Sequence, residues 1–363
     1  MTAFAHEPHP APTSAADRAA RIGDPGFGRV FTDHMITVRY TGERGWHDAT
    51  LHPRRPLSLD PATAVLHYAQ EIFEGMKAYA LADANGEEGG IALFRPEQNA
   101  RRFNASARRM AMPEVPEELF LSAVRELVLK ERDWIPDGEG SLYLRPFMIA
   151  SEVFLGVKPA NEYLFMVLAS SAGAYFRGGA PTISLFVSED YTRAAPGGTG
   201  AAKCGGNYAT SLVAQAEATR RGCDQVVFLD AVERKWVDEL GGMNIFFVRD
   251  GKTLITPPLG TILPGITRDS ILQIARDEGL EAFELPYSID DWRAEATSGR
   301  LTEAFACGTA AVVAPIGRVV TATDEFTIGG GGPGQLSQRL KDRLTAIQRG
   351  RAPDPHDWVQ RIA

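Results

Sequence analysis

The sequence has few cysteines, no long hydrophobic run and no excess of positive charge. Only three of its 363 residues are cysteine, Cys204, Cys223 and Cys307. An odd count with no Cys-x-x-Cys pair argues against a disulfide framework or a thiolate metal site, and favours a reducing cytoplasm. No apolar run approaches the roughly 20 residues that cross a bilayer. The formal net charge of −8 gives no electrostatic footprint for nucleic acid or an anionic membrane, so we expect neither as a partner.

We expect no targeting signal in the first residues. They are rich in Ala, Pro and His, have no apolar signal core, and carry Glu7, Asp17 and Asp24, unlike an Arg-rich transit segment. We therefore expect a mobile tail over residues 1–25. The whole chain, with 44% hydrophobic and 23% charged residues, has the composition of a globular protein and is long enough for two domains.

The most unusual stretch surrounds Lys203, which stands between glycines at 197–200 and 205–206. Glycine lets the backbone approach another group closely. A nucleotide P-loop is excluded, because Ala202 and Cys204 stand where glycine and Ser or Thr are needed. A lone lysine in such a loop is usually a surface residue. The residues that accompany Lys203 favour a functional role instead. A tyrosine follows five residues later, and Glu239 lies shortly before a predicted strand.

This combination suits pyridoxal phosphate. The cofactor needs a lysine for its Schiff base and an anion beside its ring nitrogen. Several blocks also resemble, in family order over about residues 26–350, the branched-chain amino acid aminotransferases of bacterial type, which are fold type IV pyridoxal phosphate enzymes. The blocks are Phe31-Thr-Asp-His-Met35, Phe73-Glu-Gly-Met-Lys77, Ser141-Leu-Tyr-Leu-Arg-Pro146, Ile262-Leu-Pro-Gly-Ile-Thr-Arg268 and Gly308-Thr-Ala-Ala311.

The resemblance implies an α+β fold of two domains and a homodimer. We expect a smaller strand-rich α/β domain over 26–176, an interdomain loop at 177–182, and a larger cofactor-binding domain over 183–363 with a barrel-like sheet and helices. Segment patterns predict strands at 31–40, 73–79, 91–94, 142–150, 164–170, 183–188, 225–229 and 244–248. They predict helices at 95–112, 117–132, 207–222, 267–279 and 335–349.

The implied reaction is reversible amino transfer between Leu, Ile or Val and 2-oxoglutarate, giving branched 2-oxo acids and glutamate. It would be the last step of branched-chain amino acid biosynthesis and the first of degradation. A D-amino acid aminotransferase or an aminodeoxychorismate lyase is the nearest alternative; these share the lysine and the acid but are shorter and lack two of the blocks. A cofactor-free binding protein on the same scaffold is a third.

The resemblance also assigns the residues that would hold the cofactor. Lys203 would form the Schiff base and move the proton at the substrate Cα. Glu239 would pair with the ring nitrogen, with Asp238 as its rival, because strand alternation aims only one of the two inward. The remaining contacts would be Tyr208 to the ring oxygen and, to the phosphate, Arg102 rather than Arg101, the amides of Ile266 and Thr267, and Thr309. A helix N-terminus at Thr267 suits an anion, although Thr267 is equally suited to be a simple N-cap.

The substrate pocket must be apolar for a branched side chain and still admit glutamate. The resemblance places Arg145 at the glutamate γ-carboxylate, and the amides of Thr309 and Ala310 towards the substrate carboxylate. Its pocket positions correspond to Phe27, Tyr68, Phe73, Tyr143, Tyr175 and Gly242, with Phe31 competing for the role of Phe27. Taken singly, each aromatic residue is more often core than ligand. Ala311 and Ala314 stand where animal members carry Cys-x-x-Cys, so we expect no thiol switch. The spacing of the three cysteines predicts no metal site.

Overall fold

The computed structural model describes residues 3–82, 88–173 and 182–362. The chain divides into two compact units. Unit 1 comprises Met1–Tyr175, Ala202–Gly205 and Ile347–Ala363, and unit 2 comprises Phe176–Ala201 and Gly206–Ala346. Each unit combines helices with a large sheet, so the predicted α+β class is confirmed.

The predicted domain boundaries stay predictions. The expected interdomain loop, 177–182, lies outside the described residues except for its last position. Within the described ranges, no helix is long and apolar enough to cross a membrane. The same ranges contain no group of three or more His, Cys, Asp or Glu side chains placed to hold a metal ion.

Unit 1 is built on a sheet in the order β1-β4-β3-β9-β8-β6-β7-β19, with β2 beside β9 and β5 beside β8. The alternating apolar residues Ile36 and Val38 lie opposite Val167 and Phe165 and are buried, which fixes the register of β3. The strands are β1 (Ala5–His6), β2 (Val30–Phe31), β3 (His34–Thr41), β4 (Gly45–Pro53), β5 (Glu71–Phe73), β6 (Met76–Ala82), β7 (Glu88–Phe94), β8 (Ser141–Ala150), β9 (Glu162–Ala172) and β19 (Val359–Arg361).

The helices of unit 1 are amphipathic and pack on this sheet. In α4 the buried residues recur at helical spacing, and Phe120 contacts Phe103 of α3 and Phe165 of β9. In α3, which starts at Pro96, a favourable first helical position, Arg102 is buried while Arg101 is exposed. The helices are α1 (Ala15–Ile22), α2 (Val65–Tyr68), α3 (Pro96–Arg109) and α4 (Glu117–Lys130), followed by a 3-10 turn at Arg132–Trp134.

The segment expected to be a mobile tail contains regular elements. Strand β1 pairs in parallel with β4, and Ser14 caps α1 by accepting a hydrogen bond from the Asp17 amide at 3.1 Å. The amide and the hydroxyl of Thr13 donate to the Asp33 carboxylate at 3.1 and 2.6 Å. The composition of the segment did not reveal the contacts with β4 and Asp33, because these partners lie outside it.

Directly beside this attachment lies a buried acid–base pair. His34 Nδ1 is hydrogen-bonded to the Glu131 carboxylate, which also accepts a hydrogen bond from the Asp33 amide at 3.1 Å. Burial raises the pKa of Glu131 to about 7 and lowers the pKa of His34 to about 4, because each charged form loses its hydration. Both shifts favour the neutral forms of the two side chains.

Unit 2 is built on a second sheet in the order β12-β11-β10-β17-β16-β13-β14-β15, with β18 beside β17. Its core includes Leu185, Val227 and Phe247, which packs against Trp292. The strands are β10 (Ile183–Ser188), β11 (Gln225–Leu229), β12 (Val237–Leu240), β13 (Asn244–Arg249), β14 (Thr253–Thr256), β15 (Glu281–Glu284), β16 (Leu301–Gly308), β17 (Val312–Val320) and β18 (Glu325–Thr327).

Two predictions for unit 2 were wrong in detail. The single helix predicted over 207–222 is two helices, because the hydroxyls of Thr210 and Ser211 donate to the Asn207 carbonyl and compete with the helical pattern. No strand was predicted between 225–229 and 244–248, yet β12 lies there, because its two acids gave no strand signal. The helices are α5 (Gly205–Ala209), α6 (Leu212–Arg220), α7 (Ile266–Asp277), α8 (Ile289–Ser298) and α9 (Gln335–Gln348).

Candidate active site

The backbone of Lys203 is fixed from two sides within unit 1. Its amide donates to the Ser106 hydroxyl on α3 at 2.9 Å, and its carbonyl accepts from the Phe73 amide at the end of β5 at 2.9 Å. Its Nζ lies 4.9 Å from the centroid of the Phe73 ring. The ring face attracts an ammonium group. The lysine is therefore a held, half-buried residue rather than a loose surface one.

A buried ion pair lies close to this lysine. Arg102 Nε and Nη2 donate to the two oxygens of Glu74 at 2.7 and 2.8 Å, and Asn99 adds a third donor at 2.8 Å. Burial on its own raises the pKa of Glu74, but the charges of Arg102 and Lys203 outweigh it and hold that pKa below its usual range. The Ser106 hydroxyl, which accepts from Lys203, donates to the Arg102 carbonyl at 3.0 Å.

Four of the predicted substrate residues form one cluster in unit 1. The Arg145 guanidinium lies 4.6 Å from the ring centroid of Phe73 and donates to the Tyr143 hydroxyl at 3.0 Å. Phe27 meets Tyr143 edge to face, with centroids 4.8 Å apart. In contrast, Phe31 contacts Arg54, whose guanidinium carbon lies 5.1 Å from the centroid of the Phe31 ring. The Phe31 residue is 37% exposed. The cluster therefore brings three aromatic rings and one guanidinium together.

Tyr68 lies in other surroundings. Its hydroxyl donates to the Leu155 carbonyl at 2.5 Å, and its ring stacks on Phe154 with centroids 6.3 Å apart. The predicted pocket residue Tyr175 lies outside the described residues.

In unit 2, Glu239 is buried on β12 and accepts three hydrogen bonds or ion pairs. Arg193 Nη1 lies 2.8 Å and the Leu263 amide 3.0 Å from its Oε1, and Asn244 Nδ2 lies 3.2 Å from its Oε2. The adjacent Asp238 is half-buried and accepts from the Thr261 hydroxyl at 3.1 Å. Burial raises the pKa of Asp238 to about 6. The strand therefore turns the two carboxylates into different environments.

Asn244 connects Glu239 to the start of α7. A Cβ added to Gly265 would lie only 2.0 Å from Asn244 Oδ1, so the two residues meet only because position 265 is glycine. Gly265 is the N-cap, and no side chain caps the helix. The prediction that Thr267 might be a simple N-cap is therefore wrong: Ile266 and Thr267 are the first two helical residues. Their amides belong to the first turn, which suits an anion.

Tyr208 and Gly242 are neighbours in unit 2. Tyr208 is in α5, and a Cβ added to Gly242 would lie 3.6 Å from its ring. Thr309 and Ala310 lie in the turn between β16 and β17. Near that turn, Cys307 lies opposite Asn244, and burial raises the pKa of its thiol to about 12.

Sequence reasoning missed four polar residues of these clusters: Glu74, Ser106, Arg193 and Asn244. Glu74 and Ser106 stood in or near blocks that carried the family resemblance, but nothing local gave them a role. Their partners are distant in sequence: the Lys203–Ser106 hydrogen bond, for example, joins residues 97 positions apart.

Similar proteins share nearly the whole chain. The family model for amino-transferase class IV matches residues 71–319. A probable branched-chain-amino-acid aminotransferase of Streptomyces coelicolor is 58% identical, over 98% of each chain. The branched-chain-amino-acid aminotransferase of Mycolicibacterium smegmatis is 52% identical, over 97% of this chain and 96% of its own. The crystal structure of the Thermobaculum terrenum enzyme in its PLP-form matches with a TM-score of 0.70 and 26% identity, over 91% of this chain and 98% of the other.

Proposed function

Because this chain belongs to the class IV aminotransferase family, we propose that it is a branched-chain amino acid aminotransferase that uses pyridoxal 5′-phosphate. It moves the amino group between Leu, Ile or Val and 2-oxoglutarate. Full-length relatives at 58% and 52% identity carry that name. The observation that carries the proposal is Lys203, held by Ser106 and Phe73 with its Nζ over an aromatic face.

The residues present fit the cofactor. When bound, pyridoxal phosphate supplies an electron sink for the electron pair left at the substrate Cα. Glu239, buried with one cationic and two neutral donors, is kept as the anion that the ring nitrogen needs. Tyr208 supplies a hydroxyl for the ring oxygen. The phosphate takes Arg102, Thr309 and the first amides of α7, Ile266 and Thr267, at a helix end without a side-chain cap.

Lys203 Nζ takes the proton from the substrate Cα and returns it on the cofactor side. Two groups of unit 1 stabilise the ammonium form that results. One is the face of the Phe73 ring, and the other is the charge of Glu74. Arg102 has two roles: it binds the phosphate, and it keeps Glu74 ionised beside Lys203.

The aromatic cluster explains acceptance of two kinds of substrate. Phe27, Phe73 and Tyr143 give apolar surface for a branched side chain, while Arg145 gives a charge for the γ-carboxylate of glutamate. Because Arg145 lies against ring faces and the Tyr143 hydroxyl, it need not be expelled when an apolar substrate binds. The resemblance also assigns Gly242 to the pocket and the amides of Thr309 and Ala310 to the substrate carboxylate. Tyr68, which contacts Leu155 and Phe154 instead of this cluster, is not part of the proposed pocket.

We further infer a homodimer formed through an apolar surface of unit 1. The segments 62–68 and 153–157 are joined by the bridge between Thr63 and Val153 and by the Tyr68–Leu155 hydrogen bond. They expose Leu66, Val153, Leu155 and Val157, the last at 90%. A contiguous exposed apolar patch is typical of an interaction surface.

The dimer is tested by light scattering after size exclusion. Wild type is expected at twice the chain mass, and the double variant Leu155→Asp, Val157→Asp at the chain mass. Leu129→Asp, on α4, is the control and stays dimeric. A monomeric wild type contradicts the proposal.

We also infer a cytoplasmic location, which three cysteines without a disulfide favour. Cell fractionation tests it.

The activity is tested by steady-state transamination of leucine with 2-oxoglutarate, measured as glutamate formed. Wild type should turn over L-branched substrates, and Lys203→Ala should have no multiple turnover while keeping its fold by circular dichroism. Lys252→Ala, an exposed lysine in the β13–β14 turn, should match wild type. Preference for D-alanine would favour the D-amino acid aminotransferase alternative, and normal turnover by Lys203→Ala would refute the assignment.

A further inference from the structure

Behind Glu239 lies an arginine that the proposed reaction does not use. The Arg193 side chain is 4% exposed, and its Nη1 lies 2.8 Å from Glu239 Oε1. The same guanidinium makes two longer contacts of 3.4 Å, from Nη1 to the Thr261 carbonyl and from Nη2 to the Gly200 carbonyl. Among the described residues, its buried Nε has no hydrogen-bond partner. A guanidinium buried in this way is held chiefly by the carboxylate.

The charge of Arg193 matters because Glu239 is buried. A buried carboxylate without a cation is costly, and an ionised donor binds it more strongly than a neutral amide. Leu263 and Asn244 supply neutral donors to Glu239, whereas Arg193 brings a cation into direct contact with it. On the other side of the strand, Asp238 accepts a hydrogen bond from Thr261, and the Arg193 charge lowers its pKa less than burial raises it.

We propose that Arg193 is a positioning residue that holds Glu239 ionised and correctly aimed, and so keeps the shared proton on the cofactor ring nitrogen. Arg193 lowers the proton affinity of Glu239, and without it the proton is shared back to the carboxylate and the ring loses charge. The inference rests on the proposed function, since it needs Glu239 beside the ring nitrogen. It adds that the electron sink depends on a residue that does not touch the cofactor.

The main variant is Arg193→Met, which removes the charge and keeps much of the length. We expect kcat to fall about 10- to 100-fold with a smaller change in KM, by analogy with the loss of a residue that orients a metal-binding side chain. Arg193→Lys keeps the charge and should recover part of the loss. Arg249→Met, which breaks the ion pair with Glu295 elsewhere in unit 2, is the structural control and should leave kcat near wild type.

A binding measurement separates this role from a merely structural one. Apo-protein is titrated with pyridoxal phosphate and with its 1-deaza analogue, which has carbon in place of the ring nitrogen. Arg193→Met should weaken binding of pyridoxal phosphate about tenfold more than binding of the analogue. The quantity compared is the ratio of the two dissociation constants, for pyridoxal phosphate and for the analogue. In a Glu239→Gln background, Arg193→Met should change this ratio little. If Arg193→Met does not fold, the same ratio is measured for Arg193→Lys and Arg193→Gln.

Equal weakening of both ligands would overturn the inference, as would an undiminished effect in the Glu239→Gln background. The two proposals fail separately. If wild type neither binds pyridoxal phosphate nor transaminates leucine, the proposed function is wrong. If wild type does both but the ratio of affinities is unchanged by Arg193→Met, only the role of Arg193 is wrong.

Discussion

At the scale of single residues, β12 separates two neighbouring carboxylates by environment. Glu239 is buried against a cation and two neutral donors, whereas Asp238 is half-buried with one hydroxyl donor. A buried acid with a dedicated cation is suited to stay charged beside a ring nitrogen. An acid whose pKa burial raises to about 6 is poorly suited to that task, because part of it is protonated near neutral pH.

Exchange of the two acids for amides tests this distinction. Glu239→Gln should lower kcat by roughly 10²–10³, the loss expected for one preorganised electrostatic contact. Asp238→Asn should stay within a few-fold of wild type. Both are measured by steady-state kinetics with leucine and 2-oxoglutarate. An inactive Asp238→Asn beside a near-normal Glu239→Gln would reverse the assignment.

Local patterns showed only that two adjacent side chains face different ways, on a strand for Asp238 and Glu239 and on a helix for Arg101 and Arg102. The family resemblance chose Glu239 and Arg102, and the structure buries the chosen residue in each case. Their roles stay predictions. The partners of these residues were missed, because Arg193 reaches Glu239 and Glu74 reaches Arg102 only after distant elements have packed. No local period encodes such pairs.

At the scale of elements, the glycines around Lys203 are not equivalent. A Cβ at Gly200 would lie 1.9 Å from the Thr261 carbonyl oxygen and 2.6 Å from the Ala194 Cβ, whereas a Cβ at Gly206 would have no atom within 4 Å. The first clash is with backbone, which cannot move aside as a side chain end can. The close approach is therefore needed before the lysine and not at Gly206.

A pair of alanine variants tests this difference. Gly200→Ala should lower the free energy of unfolding by about 1–3 kcal/mol, as overpacking does. Gly206→Ala, in α5, should leave it unchanged or slightly raised, because alanine favours a helix over glycine. Urea denaturation of both proteins gives the comparison. Equal stability of the two variants would mean that the Thr261 backbone yields easily.

The His34–Glu131 pair makes stability depend on pH. Folding raises the pKa of Glu131 to about 7, so the folded protein binds an extra proton below that pH, and the stabilisation is lost as pH rises through 7. Gln at position 131 does not titrate. From pH 6 to 8.5, Glu131→Gln should therefore gain about 1 kcal/mol in unfolding free energy relative to wild type. A difference that stays constant in urea denaturation across this range would contradict the shift.

Elements with a strong period were predicted, and short polar ones were not. The stripe of α4 and the alternation of β3 place apolar groups on one face, and both elements lie where the pattern put them. The strand β12 was missed because two of its four residues are acids. The helix break after α5 was missed because it depends on hydroxyl groups bonding to a carbonyl, which a hydrophobic pattern does not reveal.

At the scale of the whole molecule, the cysteines predict resistance to oxidation. Cys204, Cys223 and Cys307 are free and almost fully buried. Burial raises the pKa of Cys307 to about 12, so its reactive thiolate is scarce. Mild peroxide should leave activity intact, and dithiothreitol should not raise it. The test measures activity as a function of peroxide dose, together with the mass of the intact protein. Reversible inactivation with loss of two mass units would show a disulfide switch.

The strand β19 has a consequence for synthesis of the chain. It pairs with β7, with Val359 opposite Phe94, and Gln360 donates to Glu97 across a sequence separation of 263. The edge of the first sheet therefore stays open on the ribosome until residue 361 has left the exit tunnel. Unit 2 ends at Ala346, close to the end of α9, so the nascent chain can complete the middle of its sequence before its beginning. Folding order then runs against synthesis order, and a stalled ribosome leaves an unpaired strand for chaperones to cover.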